Sequence, residues 1–161
     1  MSEKTSKRRL FHIRPYLCRV KMSISGDIKD KTASLKELVE LRLPARGGSV
    51  RAQYLLGIKL GTAENSPKEV AEAVKWYRKA AQQDFAPAQN NLGLLLAGKR
   101  LESPQLEEAV KWFRRAAQQG MAAGQWNLAR HLWQGEGVVK DLTESYEWTR
   151  KAAEQLSLIH I

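Results

Sequence analysis

From about residue 50 the apolar positions fall into alternating shorter and longer stretches, each spaced by three and four residues and separated by polar breaks. In the clearest pair Ala88, Leu92, Leu95 and Leu96 mark one face of a first helix, and Ala109, Trp112, Phe113 and Ala116 mark one face of a second. The pattern then recurs. Trp76, Trp112 and Trp148 stand thirty-six positions apart, and the same step carries Gly57 to Gly93 to Ala129 and Ala52 to Ala88 to Gly124. A fixed period of this size predicts helix–turn–helix units that bury their apolar faces only by stacking. The expected fold is all-α, a short right-handed α-solenoid of antiparallel helix pairs, with repeats at about 52–87, 88–123 and 124–155.

Punctuation supports these boundaries. Ser66-Pro67-Lys68-Glu69 reads as a capping box with proline at the first helical position. Asp141 with Glu144 repeats that logic, and Ser103-Pro104 gives a weaker version. Gly120 is a helix stop, for which Asp84 is the less suitable counterpart one repeat earlier. Upstream, Ala45 aligns with Ala81, so residues 31–48 are expected to hold a degenerate capping helix that Pro44 breaks near Leu43.

Three features carry a resemblance: A-x-x-x-L-G opening a repeat, Gly135-x-Gly137-Val138-x-x-Asp141 in a loop, and W-[YF]-x-[KR]-A-A-x-Q closing a repeat. With them, residues 52–155 resemble the Sel-one-like repeats, relatives of the tetratricopeptide repeats. The likeness implies a non-catalytic adaptor that binds other proteins. It departs from the family at Leu60, Leu96 and Leu132, where a tyrosine is usual, and the glycine-rich loop is complete only in the third repeat.

Charge adds a tail to this picture. Of the net charge of +10, six units lie in residues 1–25, where seven lysines and arginines face Glu3 alone. Residues 1–30 are expected to be a disordered basic arm, with a targeting peptide, an anionic-surface tether or a true start at Met22 as alternatives. Residues 156–161 leave the repeat pattern and are expected to be a non-native tail, with more repeats following in the natural protein. The single cysteine, Cys18, points to a reducing compartment, and the cytoplasm is the expected location.

Chemistry is sparse. His12, His131 and His160 share no ligand spacing, no serine has a lysine three residues later, and no phosphate-binding glycine loop is present. No cofactor or metal is expected. A hydrolase with an unrecognised site remains the alternative reading, as does a basic-tailed regulator. The recurring lysines and arginines of the second helices are expected to pair locally with Glu72, Glu108 and Glu147, which argues against nucleic acid as a partner. Glu107, Glu108 and Glu144 are read as helix N-terminal carboxylates.

By the tetratricopeptide register, the residues facing the groove should be Tyr54, Ile58, Asn90, Asn91, Leu94, Trp126, Asn127, Arg130 and Trp133. Asparagines can clamp an extended backbone, and Trp and Arg dominate interface energetics. The competing expectation places Trp126 and Trp133 in the core. The exposed last repeat is also expected to promote self-association.

Overall fold

A computed structural model describes residues 36–62, 66–99, 101 and 103–158, with only the backbone of 156–158. The chain divides into two compact units, 1–40 and 41–161. Expectations about the basic arm, Met22 and Cys18 lie outside the described residues. In the first unit residues 36–40 are helical, with Lys36 and Glu40 paired one turn apart.

Among the described residues the regular structure of the second unit is helical. Residues 41–46 (α1) lead into α2 (Val50–Leu60), α3 (Pro67–Gln82), α4 (Ala86–Ala97), α5 (Leu106–Gln118), α6 (Ala122–Gln134) and α7 (Leu142–Leu158). From α2 to α7 each helix packs on the next, and α4 also touches α6. Such nearest-neighbour packing is what a stack of hairpins gives.

Close approach within a hairpin is set by paired substitutions. A Cβ on Gly57 would lie 2.5 Å from the Tyr77 ring, and one on Gly93 would lie 2.5 Å from the Phe113 ring. A glycine on the first helix therefore admits an aromatic ring from the second. Ala88, Leu92, Leu96, Ala109, Phe113 and Ala116 are all fully buried, as their spacing predicts. Leu95 is only half-buried.

The helix ends mostly follow the sequence. Ser66 and Glu69 form the reciprocal capping box, and hydrogen bonds from Ser66 hold the Glu69 carboxyl below its usual range. Gly120 takes a left-handed φ of 83° after α5, and Asp84 is forced into the same region at 58°. Two expectations fail. Ser103 does not cap α5, whose first turn is tied instead by the Gln105 N–H donating to the Leu96 carbonyl at 2.8 Å. Pro44 does not end α1, which runs on to residue 46. Proline removes one helical hydrogen bond. Burial of Ala45 and its carbonyl's bond from Gln53 offset that loss. At the other end α7 continues to Leu158, three residues into the segment expected to be foreign.

Candidate functional site

Polar side chains join the hairpins in rows that advance by thirty-six. The amides of Gln53, Gln89 and Gln125 donate to the carbonyls of Ala45, Ala81 and Ala117 at 3.0, 3.1 and 3.4 Å. Their oxygens accept from Gln83, Gln119 and Gln155 at 2.9, 2.8 and 3.1 Å. All three glutamines are buried, and these bonds satisfy groups that would otherwise be costly to desolvate.

A second row crosses between successive second helices. Arg42 reaches Glu72 at 3.2 Å, Arg78 reaches Glu108 at 2.9 Å, and Arg114 makes a forked pair with Glu144. The same carboxylates accept the indole N–H groups of Trp76, Trp112 and Trp148 at 3.2, 3.1 and 3.1 Å. The expected local pairing of Arg78 and Arg114 is thus corrected, since each partner lies thirty residues on. Glu108 and Glu144 serve this lattice, and Glu144 does not close a reciprocal box with Asp141, which caps only its N–H. The free faces of the tryptophans carry Lys79, Arg115 and Lys151 at 4.3 to 4.9 Å.

Burial pushes the Glu108 carboxyl up, but the bonds from Trp112 and Arg78 outweigh it and leave it lowered. Glu144 is lowered chiefly by Arg114. A lowered folded pKa stabilises the fold above the unfolded value of about 4.3 and stops doing so as pH falls through the folded value. Denaturation midpoints are therefore expected to drop between about pH 5 and 3, less steeply in Arg78→Ala and Arg114→Ala than in the parent. Urea titrations at stepped pH measure this.

The nine groove candidates separate into three groups. Ile58, Leu94 and Arg130 occupy one position of α2, α4 and α6 and are all exposed. Tyr54, Asn90, Asn91 and Asn127 form a seam between first helices. Asn91 donates to the Tyr54 hydroxyl at 3.5 Å and Asn127 donates to Asn90 Oδ1 at 2.8 Å. Asn90 is only 4% exposed, so its expected clamping of a ligand gives way to holding α6. Tyr77 packs on Tyr54, and burial pushes its phenol to about 12, which keeps it neutral.

Trp126 and Trp133 form the third group. They are 58% and 60% exposed, which removes the expectation that they fill the core. With Tyr146 they surround a cleft of about 380 Å³ beside Ala129, Ser145 and Thr149. The sequence reading missed Tyr146. The signal was present, because Val74 and Val110 occupy its position in the earlier repeats and are buried.

Among the described residues no helix is long and apolar enough to cross a membrane. No curated protein matches the chain. Among solved structures it is similar to a protective antigen of uropathogenic Escherichia coli displaying an SLR fold, at 40% identity and a TM-score of 0.65 over 71% of this chain. It is also similar to a Sel1 repeat protein from Oxalobacter formigenes, at 34% identity and a TM-score of 0.65 over 79% of this chain. The chain spans 25% of the first protein's length and 53% of the second's. The Sel1 repeat model matches residues 50–85, 86–121 and 122–155, two residues ahead of the boundaries the spacing suggested except at the last end. Period, helical hairpins and matched repeats agree, and the chain belongs to the Sel1 repeat family.

Proposed function

We propose that this protein is a non-catalytic scaffold that holds an extended or helical segment of another protein along the face built by its first helices. Sel1 repeats commonly mediate protein interactions. The observation that carries the finer reading is the row Ile58, Leu94 and Arg130. Ile58 and Leu94 are exposed apolar side chains at one position of successive first helices, where a solvent-facing helix would ordinarily carry charged or polar groups, and Arg130 continues the row. The bonded seam of Tyr54, Asn91 and Asn127 beside that row fixes the helices in place. The face is therefore preorganised, and binding would cost little ordering of the scaffold.

Selection of peptides from a displayed random library on the whole chain tests this. Leu94→Glu and Ile58→Glu are expected to weaken the selected peptides by about tenfold or more. Far-UV circular dichroism should stay unchanged, because both side chains already face solvent. Selected peptides that bind both variants as tightly as the parent would remove this face from the proposal.

A further inference from the structure

Charge divides the helices of the repeats. The helices α2, α4 and α6 carry Arg51, Lys59 and Arg130 and no Asp or Glu, whereas every helical glutamate from α2 onward stands on α3, α5 or α7. The face built by the first helices is therefore cationic, and it exposes the aliphatic side chains of Ile58 and Leu94. Both stay exposed although a further hairpin stacks on each of their repeats, so this position is open within the stack itself. Arg130 occupies the same position of α6.

The Arg130 guanidinium is positioned by a buried ring. His131 is 1% exposed, and its Nδ1 lies 3.0 Å from the Glu136 carbonyl oxygen. A carbonyl only accepts, so Nδ1 carries the proton and Nε2 is left to accept. Arg130 Nη2 donates to it at 3.4 Å. Among the described residues no carboxylate pairs with Arg130, which leaves the rest of its donor fork for a ligand. Beside the row, Tyr54 accepts from Asn91 and keeps its hydroxyl proton to donate, and Asn127 donates to Asn90 and keeps its carbonyl oxygen to accept.

We propose that this face takes an extended acidic segment of another protein and reads every third side chain of it, two apolar residues over Ile58 and Leu94 and a carboxylate at Arg130. The inference rests on the scaffold reading above and narrows it to one ligand chemistry. Side-chain bonds join successive first helices, and packed helices stand about 8–10 Å apart, which sets the step along the row. A polyproline II segment has three residues per turn and rises about 3.1 Å per residue, so its side chains i, i+3 and i+6 share one edge about 9 Å apart. A β-strand turns i and i+3 to opposite faces. A helical ligand would lay a broad apolar stripe where the seam of Tyr54, Asn91 and Asn127 presents polar groups. The polyproline backbone has no internal hydrogen bonds, and the Tyr54 proton and the Asn127 oxygen can serve it. Aliphatic side chains give no platform for stacked bases, which argues against a nucleic acid here.

The probe is an end-blocked, fluorescein-labelled peptide, Gly-Ser-Leu-Pro-Pro-Leu-Pro-Pro-Glu-Gly-Ser, together with its reversed sequence, because the row does not fix chain direction. Each is titrated into the whole protein and followed by anisotropy. One of the two is expected to saturate, and replacing its Glu by Gln should weaken it about threefold or more. Arg130→Glu should weaken the Glu form by at least as much, and a probe with Lys in that place should then bind again. Leu94→Glu should weaken every form by about tenfold or more. Peptides selected from the displayed library keep the two readings apart. Dependence on Leu94 without an acidic residue at the three-residue interval leaves the scaffold face standing and overturns this inference, whereas no dependence on Leu94 removes both. Saturation by neither probe overturns it as well, as does binding indifferent to Arg130→Glu. A dimer by light scattering that Leu94→Glu dissolves would assign the face to a second copy and overturn the stated occupant.

Discussion

Phe113→Ala is expected to destabilise the protein by about 3–5 kcal/mol, a large part of the roughly 5–15 kcal/mol that holds a domain of this size together. The Phe113 ring is completely buried, seated on Gly93 and 5.3 Å from the His131 ring of the next repeat. It therefore belongs to two interfaces at once. Truncation leaves a hole beside Gly93, which has no side chain to fill it. In a stack where each hairpin touches only its neighbours, damage to the middle one uncouples the two ends. The urea transition should shift to lower concentration and broaden, with tryptophan fluorescence and the 222 nm ellipticity no longer coinciding. Thr149→Ala is the internal comparison, because Thr149 holds the same position without a ring and should cost less than about 1 kcal/mol. A loss at Phe113 no greater than at Thr149 would show that the ring does not join the repeats.

The two positions also show which parts of this molecule can be read from its sequence. The period, the glycine–aromatic pairs and the Ser66–Glu69 cap were legible because each is either local or strictly repeated. The alignment of Ala45 with Ala81 was legible for the same reason, and the Gln53 and Gln89 bonds to those two carbonyls bear it out. Pro44 misled because propensity sees the lost bond but not the burial of Ala45 that offsets it. The basic row was visible at Arg78 and Arg114, yet no glutamate stands three or four residues from either, so spacing along one helix named no partner for them. Only stacking brings residues thirty apart together. Burial at Asn90 and exposure at Trp126 were illegible on the same account. They occupy one position of the repeat, and what differs is whether a following helix covers it.

Gln89→Leu is expected to cost about 1–3 kcal/mol although it keeps the volume and adds apolar surface. Gln89 is fully buried, and its amide spans the join between the first and second repeats by donating to the Ala81 carbonyl at 3.1 Å. Its oxygen accepts from Gln119 at 2.8 Å, which ties α5 to the same point. Leucine removes both bonds and leaves the Ala81 carbonyl facing a methyl group, whereas the amide of Gln119, an exposed residue, turns to water. The two lost bonds together with the weakened carbonyl outweigh the added apolar burial. The Ala81 carbonyl still accepts from the Asp84 N–H at 3.2 Å, so the loss should fall short of a full orphan. The loss should also be local. Gln53→Leu and Gln125→Leu remove the equivalent bonds, with the third at 3.4 Å the longest and so the least costly. Hydrogen exchange on the three variants would rank them Gln89 or Gln53 above Gln125, with the fastest-exchanging amides clustered at the altered join. Equal destabilisation spread over all repeats would mean that the carboxamide row is incidental and that apolar packing alone sets the thirty-six-residue stack.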